Sequence, residues 1–376
     1  MSARTGPVSV GFIGAGNVLA AYLQALDRLI PRGEALLGGI CARNRRRWPQ
    51  LRSRRPGVVL YEQVADLLAS NVEVVVILTP PDSHAELARA ALTHGKHVLA
   101  EKPLAATVRE ARSLQSLAHR HGRLLVAAPF VQQSPTFAFL HQTLQRGAIG
   151  RIHSARALYG NLGSDWAGWY HDSGLGALAE IGIYNLKSLT AILGPVEVVF
   201  HQETRSARTR RISGRRLPQV DADVAHTLLR HAGGALSSIA SSHAIVQYER
   251  PALEFYGSAG TANLRGDDWD PRGVDIWREQ RGCWECYPAI EPTWLWTDGL
   301  SDLVQAVRNK RAPLGDLAHD LHLIEILAAA SRSSRSNRPV RIRTSWTGYV
   351  PSAATMRAAR LKKRHLHDHT RPAGEQ

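Results

Sequence analysis

The chain has 376 residues, 44% of them hydrophobic and 21% charged, and this composition excludes an intrinsically disordered protein. Three cysteines in so long a chain exclude a disulfide framework. The sequence has no apolar run of about 18 residues or more, and its first residues lack the order of a secretory signal, so we expect a cytoplasmic protein.

The formal net charge of +15 raises the question of a nucleic-acid partner. The basic residues are concentrated in residues 43–55, in residues 205–216 and in the tail from Arg357 onward. The second and third clusters contain no aromatic side chains, and we therefore expect solvated surface charge there rather than a nucleic-acid site.

The first part of the chain alternates strands and helices. An apolar strand over residues 8–14 is followed by a helix-forming segment and by a second strand over residues 35–42, and the alternation continues to the strand RLLVAAP before Pro129. This pattern predicts an α/β fold with an N-terminal Rossmann domain, a doubly wound parallel sheet over residues 1–129.

The pattern changes after residue 129. A predicted helix over residues 136–146 precedes strand-like segments near 152–159, 196–203, 222–230, 235–243 and 252–256, and two late helices follow near 300–309 and 317–331. We predict a C-terminal α+β domain over residues 130–346 that is built on a mostly antiparallel sheet. Residues 347–376 have no apolar period and are predicted to form a basic, mobile tail.

Gly14-Ala15-Gly16 follows the first predicted strand and opens the first helix, where a dinucleotide fingerprint is expected. Gly14 would allow a tight turn, and Gly16 would let the backbone approach a pyrophosphate at the helix N-terminus. Leu19 occupies the position of the usual third glycine. A plain strand-to-helix turn is the alternative interpretation.

A longer segment carries a resemblance to a known family. Residues 79–107, TPPDSHAELARAALTHGKHVLAEKPLAAT, closely resemble the core signature of the Gfo/Idh/MocA oxidoreductase family, which includes glucose-fructose oxidoreductase and inositol dehydrogenase. The resemblance continues through the Pro135 region and residues 174–186 and 319–327, and covers residues 8–343 in order. It implies a substrate domain with a large open sheet, through which members commonly form dimers or tetramers.

Glu101-Lys102-Pro103 ends a predicted parallel strand, and open α/β sheets bind ligands at the carboxyl ends of their strands. An ammonium there would stabilise the charge that develops on a substrate oxygen as hydride moves. The family resemblance assigns this role to Lys102. The alternative is a solvated loop lysine.

Glu180 and Tyr184 are four residues apart, so a helix over this segment places them on one face. The resemblance implies that Tyr184 gives or takes the substrate proton, and Lys102 beside it would favour the phenolate. Glu180 stands where the family usually has Asp. Either side chain could instead have only a packing role, and this alternative is stronger for Glu180.

The end of the second predicted strand bears on the choice of cofactor. NAD-preferring relatives have an acidic residue where this chain has Ala42, and arginines follow from Arg43. Guanidinium groups bind phosphate oxygens, so we predict NADP in preference to NAD, unless this is only a basic surface turn. The predicted cofactor-binding residues are Gly14, Gly16, Asn17, Val18, Ala42, Arg43, Asn44, Thr79, Pro80, His84, Glu101 and Lys102.

Several other residues are weaker candidates. Lys187 replaces a common Asp and would contact a substrate carboxylate or face solvent, and Gln132 replaces a common Arg. Cys283 and Cys286 have the spacing of a zinc knuckle, but no second ligand pair follows, so we predict no metal site. His322 would approach the site in the family's fold or be an ordinary helix histidine. A tryptophan-rich segment, predicted to pack in a sheet or an oligomer, contains Trp269, Trp277, Trp284, Trp294 and Trp296.

These features predict an NAD(P)-dependent oxidoreductase that transfers hydride between nicotinamide and a hydroxyl or carbonyl carbon of a sugar, polyol or similar small polar substrate. Two alternatives stay open on the family resemblance. One is a glycoside-cleaving enzyme that recycles its NAD internally, and the other is a regulatory protein that only binds a dinucleotide.

Overall fold

The structure is a computed structural model that describes residues 6–165, 168–172, 174–351 and 369–371. The chain divides into two compact units. The first contains the residues up to Phe130 together with Thr297–Ile324, and the second contains Val131–Trp296 and the residues from Glu325 onward. Among the described residues, no helix is both long and apolar enough to span a membrane.

The first unit contains a six-stranded parallel sheet with strand order β3-β2-β1-β4-β5-β6. Its elements up to residue 127 are β1 (Val8–Ile13), α1 (Leu19–Leu29), β2 (Ala35–Cys41), α2 (Trp48–Arg54), β3 (Leu60–Tyr61), α3 (Val64–Ala69), β4 (Val74–Ile77), α4 (His84–Thr93), β5 (His97–Ala100), α5 (Val108–Arg120) and β6 (Leu125–Ala127). This strand order confirms the predicted doubly wound Rossmann sheet.

Local sequence explains why these elements form. The β4 sequence VVVI is β-branched and buried along its whole length, as expected of a central parallel strand covered on both faces. Helix α5 begins with a capping box, in which Thr107 Oγ1 accepts from the Glu110 N–H at 3.2 Å and Glu110 Oε2 accepts from the Thr107 N–H at 3.1 Å. These local signals agree with the fold of the whole unit.

The second unit is built on one ten-stranded sheet. Its elements are α6 (Pro135–Gln145), β7 (Ile152–Gly160), α7 (Ile183–Leu193), β8 (Val196–Thr204), β9 (Thr209–Ile212), β10 (Arg215–Pro218), β11 (Val224–His231), β12 (Leu236–Ser242), β13 (Leu253–Gly257), β14 (Gly260–Asp267), β15 (Asp270–Arg278) and β16 (Cys283–Pro288). Helices α8 (Gly299–Asn309) and α9 (Leu317–Ser336) follow, and then strands β17 (Val340–Arg341) and β18 (His369–Arg371).

The large sheet has the order β17-β8-β11-β12-β7-β13-β14-β15-β16-β18, and β9 and β10 form a separate hairpin. All of its neighbouring strands are antiparallel except β7 and β12, which run parallel. Helices α6 and α7 pack against the sheet. The predicted α+β domain with a mostly antiparallel sheet is confirmed.

The division into units differs from the predicted domains in residues 297–324. These residues, which include α8 and the first part of α9, were predicted to belong to the second domain but pack in the first unit. Leu321 and Ile324 join the apolar core that β4, α4 and α5 form with their neighbours. This return to the first unit could not be recognised from the sequence, because an amphipathic helix shows that one face is buried but not which element covers it.

The predicted mobile tail is corrected at two places. Tyr349 is half-buried, and its hydroxyl donates to the Gln132 carbonyl at 2.5 Å, within the second unit. Further on, β18 pairs with β16 as an antiparallel edge strand. The basic residues Arg357, Lys362, Lys363 and Arg364 lie outside the described residues. A single aromatic residue and a three-residue strand are too short to show an apolar period.

Candidate functional site

Four neighbouring strands of the first unit end at the same edge of the sheet. Gly14 follows β1, Ala42 follows β2, Thr79 lies two residues beyond β4, and Lys102 lies two residues beyond β5. These strands are adjacent in the order β2-β1-β4-β5 and all parallel, so their carboxyl ends form one edge. This edge is where an open α/β sheet binds its ligand.

The turn between β1 and α1 has the geometry of a dinucleotide cradle. Gly14 has φ +106°, and a Cβ at this position would lie 2.8 Å from the Leu78 carbonyl oxygen. Only glycine fits there. A Cβ at Gly16 would meet nothing within 4 Å, so the backbone faces open space. Asn17 and Val18 complete the turn before α1 begins. The chain's own residues therefore fit a pyrophosphate at this helix N-terminus.

Glu101 fixes the backbone of the predicted catalytic lysine. Its carboxylate is 8% exposed and accepts from the Tyr22 hydroxyl at 2.8 Å and from the Lys102 N–H at 3.1 Å. Tyr22 lies on α1, the helix that begins at the glycine turn. The Glu101 carboxylate thus links the glycine turn to the strand end that carries Lys102. The sequence prediction missed Tyr22 because an aromatic residue on a helix face normally indicates only core packing.

His84 links two turns and is itself inaccessible. Its side chain is 1% exposed, with Nδ1 2.8 Å from the Pro103 carbonyl oxygen and Nε2 2.7 Å from the Thr79 carbonyl oxygen. Ser83 adds hydrogen bonds to Thr79 Oγ1 at 2.7 Å and to the Pro80 carbonyl at 2.8 Å. His84 was predicted to bind cofactor, but in this arrangement it supports the loops that carry Thr79, Pro80 and Lys102.

The segment after β2 carries the predicted phosphate-binding arginines. Ala42 is buried, and its carbonyl accepts from Trp48 Nε1 at 2.9 Å. Arg43 is exposed, and Asn44 Oδ1 caps the next turn by accepting from the Arg46 N–H at 3.1 Å. An exposed guanidinium directly after a strand end that lacks an acidic residue suits a 2′-phosphate.

Two further arginines of this segment are engaged within the first unit. Arg45 forms an ion pair with Glu62. Arg47 donates to the Ala15 carbonyl, in the glycine turn. Arg47 therefore places a second positive charge beside the predicted pyrophosphate position. Spacing along the sequence could not distinguish Arg47 from its neighbours.

In the second unit, Glu180 and Tyr184 lie where two helical segments meet. Glu180 is 3% exposed and belongs to a π-helical turn, Leu178–Gly182, which continues directly into α7. Tyr184, the second residue of α7, is half-buried. A Cβ at Gly182 would lie 2.2 Å from Ser241 Oγ, so glycine is what lets this turn approach β12. π-helical turns are frequent at functional sites.

One aromatic ring contacts Tyr184, and others lie next to that ring or to Glu180. The Tyr159 ring contacts the Tyr184 ring edge-on, with centroids 6.1 Å apart at 76°, and lies 6.3 Å from the Trp269 ring. Tyr170 contacts His243 at 5.2 Å, and burial, with a smaller contribution from the Glu180 charge, raises the pKa of the Tyr170 phenol. We call Tyr159, Tyr170 and Trp269 the aromatic wall. The sequence did not reveal it because its members lie on separate elements.

The structure places the weaker candidates as follows. Lys187 is 1% exposed, which excludes the predicted solvent-facing alternative, and Gln132 is also buried.

Cys283 and Cys286 are free thiols on β16. Across the part of the chain that the structure describes, no group of three or more His, Cys, Asp or Glu side chains is arranged to hold a metal ion. Lys102 and Tyr184 belong to different units, and their pairing stays a prediction.

Comparisons with known proteins point to one family. Residues 8–128 match the model of the Gfo/Idh/MocA oxidoreductase family, described as having an NAD-binding Rossmann fold, and residues 137–263 match the Gfo/Idh/MocA C-terminal domain. Trans-1,2-dihydrobenzene-1,2-diol dehydrogenase of Macaca fascicularis is 29% identical over 290 residues, which cover 75% of this chain and 80% of the relative.

Other relatives are more distant or cover less of the chain. A dTDP-3,4-didehydro-2,6-dideoxy-alpha-D-glucose 3-reductase of Actinomadura kijaniata is 30% identical over 199 residues, 51% of this chain and 58% of the relative. Among solved structures, an oxidoreductase domain protein from Kribbella flavida has a TM-score of 0.78 at 26% identity and covers 90% of this chain and all of that one. Levoglucosan dehydrogenase in complex with NADH and L-sorbose has a TM-score of 0.80 at 20% identity, with coverage of 90% and 100%, and shows the shared fold.

Proposed function

Because the chain belongs to the Gfo/Idh/MocA family and is an NAD(P)-dependent oxidoreductase acting on CH–OH groups, we propose that its substrate is a sugar, polyol or cyclic diol. The observation that carries the site assignment is the Glu101 carboxylate. It binds both the Lys102 N–H and the Tyr22 hydroxyl of the helix that follows the glycine turn. A structural linkage between cofactor turn and lysine is expected if both serve one reaction.

The bound dinucleotide supplies the hydride acceptor for alcohol oxidation. In this proposal the Tyr184 phenolate would take the substrate hydroxyl proton at Oη while the hydride of the same carbon passes to the dinucleotide, so a C–H and an O–H bond break, a C=O bond forms and Tyr184 becomes a neutral phenol. The Lys102 ammonium would donate a hydrogen bond to the substrate oxygen as its negative charge develops. In ketone reduction, Tyr184 returns the proton. Glu180 lies one turn before Tyr184 and orients the substrate's second hydroxyl.

The aromatic wall supports a cyclic substrate. The Tyr159 ring contacts the rings of Tyr184 and Trp269, and the Tyr170 phenol is close enough to Glu180 and Tyr159 for their charges to raise its pKa. Such rings bury the C–H face of a pyranose or a cyclic diol and leave its hydroxyls for polar groups. An open-chain polyol has no fixed apolar face and must lose more conformational entropy on binding.

The activity test is a panel of aldoses, cyclic vicinal diols, inosose-type ketones and open-chain polyols, followed by the absorbance of the reduced cofactor. We expect turnover with cyclic members at higher kcat/KM than with open-chain members. Absence of turnover across the panel, with dinucleotide still bound, would favour a regulatory role. A cofactor that copurifies and shows no net redox change during turnover would favour internally recycled NAD.

For the cofactor itself, we propose that NADP(H) binds more tightly than NAD(H). The proposal rests on the exposed Arg43 next to the buried Ala42, with Arg47 at the glycine turn as a second contact. No acidic side chain at residue 42 is present to bind a ribose 2′-hydroxyl or to repel a 2′-phosphate.

Titrations of both cofactors test this proposal. Arg43→Ala should weaken NADP(H) binding about ten-fold, the loss of one charge-assisted contact, and leave NAD(H) binding unchanged. Added salt should weaken NADP(H) binding more than NAD(H) binding. Arg54→Ala, an exposed residue at the end of α2, is the matched control. Equal wild-type affinities, or an NADP(H) preference that survives in Arg43→Ala, would contradict it.

We also propose that the open face of the large sheet joins two copies of the chain. Leu228 and Leu236 are exposed on neighbouring strands of this face, and Leu228 is paired with Phe200 of β8. Arg230 of β11 and Glu197 of β8 form an exposed ion pair beside these leucines and supply both charges, as a self-complementary interface needs. Leu228→Arg should lower the mass measured by light scattering, whereas Val246→Arg, in an exposed loop, should not.

A further inference from the structure

The loop between β14 and β15 enters the second unit's interior. Asp267 and Asp270 face each other at the ends of the two strands, which leaves Asp268 and Trp269 as a two-residue loop. Asp268 is 1% exposed. Its Oδ2 accepts from Asn185 Nδ2 at 3.1 Å and from Ser188 Oγ at 2.9 Å. Both donors lie on α7, the helix that carries Tyr184.

The second residue of the loop reaches the same helix by another route. The Trp269 ring lies 6.3 Å from the Tyr159 ring, and the Tyr159 ring contacts the Tyr184 ring edge-on at 6.1 Å. Asp268 therefore holds two side chains of α7 that flank Tyr184, while Trp269 reaches the Tyr184 ring through the Tyr159 ring. We call Asp268 and Trp269 the hairpin clamp.

We propose that the hairpin clamp positions the Tyr184 phenol for proton transfer, an inference that rests on the proposed role of Tyr184. Neighbouring residues of an α-helix are about 100° apart around its axis, so two bonds to Asn185 and Ser188 fix the direction in which Tyr184 points. These bonds lie just beyond a π-helical turn, a rare feature that is frequent at functional sites and from which α7 directly starts.

The energetics favour a positioning role over a purely structural one. A buried carboxyl is costly to desolvate, and well-packed apolar residues in its place often give equal or greater stability. Asp268 nevertheless occupies an almost inaccessible position with donors supplied by two fully buried side chains. Positioning explains why such a network is present despite its cost in stability: it fixes one orientation of a reacting group, which must be placed to within a fraction of an ångström.

Steady-state kinetics with four variants test the clamp: Asp268→Ala, Asp270→Asn, Tyr184→Phe and the double variant Asp268→Ala/Tyr184→Phe. Asp268→Ala should lower kcat on the order of 10-fold to 100-fold, as misplacement of a reacting group does, with a much smaller change in substrate KM and unchanged cofactor affinity. The double variant should be no slower than Tyr184→Phe. Asp270 is exposed on the same hairpin, and Asp270→Asn should keep wild-type kinetics.

Conservative substitutions separate positioning from folding. Asp268→Asn keeps the shape and an acceptor for Ser188 and should restore most of the lost turnover. If Asp268→Ala does not fold, Ser188→Ala, which removes one of the two bonds, replaces it in the same cycle with Tyr184→Phe. The hairpin clamp is overturned if the folded Asp268→Ala or Ser188→Ala variant has the wild-type kcat. It is also overturned if the same substitution lowers kcat by an equal factor in wild type and in Tyr184→Phe. Normal turnover of Tyr184→Phe overturns the role of Tyr184 instead.

Discussion

Each unit contains a buried carboxylate next to a proposed reacting group, and the two are held in different ways. Glu101 accepts from the N–H of the following residue, Lys102, and from the Tyr22 hydroxyl. Asp268 accepts from side chains that lie 83 and 80 residues away along the chain. One carboxylate is part of the local strand end, while the other is brought to its helix by a hairpin.

The two carboxylates differ in how far apart along the chain they and their hydrogen-bond donors lie. The Glu101 contact to Lys102 joins consecutive residues just beyond the end of β5. The Asp268 contacts form only after β14, β15 and α7 have packed together. Both Asp268 bonds are long-range, whereas Glu101 combines one local bond, from the Lys102 N–H, with one long-range bond, from Tyr22, which lies 79 residues away along the chain.

Substitution of the two proposed reacting groups, Lys102 and Tyr184, should have the largest effects on turnover. Lys102→Met and Tyr184→Phe should each lower turnover roughly 10²-fold to 10⁴-fold, the usual contribution of a general acid–base or charge-stabilising group. If they serve one substrate oxygen, the double variant should lose far less than the product of the two single losses. Rapid-quench or steady-state kinetics with the best substrate of the panel measure all three.

Cofactor affinity is the control for this pair. Tyr184→Phe should leave the dissociation constant of the dinucleotide unchanged, because the phenol lies in the second unit. Wild-type turnover in either single variant, or fully multiplicative losses in the double variant, would show that Lys102 and Tyr184 do not act together on one substrate oxygen.

The residues that sequence could identify are those whose chemistry is set locally. Gly14, Glu101 and Lys102 lie in short motifs at strand ends, where turn geometry and strand direction follow from neighbouring residues. Strands β14, β15 and β16 escaped prediction because charged residues, together with Gly266 in β14 and Gly273 in β15, interrupt their alternation. Asp268 and the aromatic wall could not be predicted, since long-range pairing decides what each side chain meets.

A second prediction concerns how the free energy of unfolding depends on pH. Burial raises the pKa of the Asp268 carboxyl to about 7, although Ser188 and Asn185 oppose the shift. A raised folded-state pKa means that the folded protein holds the proton more tightly, so this stability is present at low pH and is lost as pH rises towards 7. Between pH 5.5 and 8, wild type should lose about 2 kcal/mol relative to Asp268→Asn.

Chemical denaturation at several pH values measures this difference. Asp267, whose pKa burial also raises, is present in both proteins and cancels in the comparison. Burial lowers the pKa of His97, His141 and His231 to about 4, so they stay neutral across the chosen range. Parallel pH profiles for wild type and Asp268→Asn would mean that Asp268 does not change its protonation there.

The smallest expected effects come from removing one hydroxyl donor on each side of the comparison. Tyr22→Phe deletes a bond to Glu101, and Ser188→Ala deletes a bond to Asp268. Each leaves a buried carboxyl with one fewer donor, which should cost about 1–3 kcal/mol in the free energy of unfolding. The Ser188→Ala penalty should be larger at pH 8 than at pH 6, because a charged Asp268 needs its donors more than a protonated one.

Urea denaturation of both variants provides the measurement, with Tyr61→Phe as the matched control. The Tyr61 hydroxyl has no hydrogen-bond partner in the described part of the chain, so its removal should change the unfolding midpoint little. The two donors also differ in what they support: Tyr22→Phe loosens the Lys102 backbone, and Ser188→Ala loosens α7. A Ser188→Ala penalty that is the same at pH 6 and pH 8 would mean that Ser188 does not sense the charge of Asp268. If neither variant lowers the free energy of unfolding, the hydrogen bonds to Glu101 and Asp268 do not contribute to stability, and the two carboxylates have only a packing role.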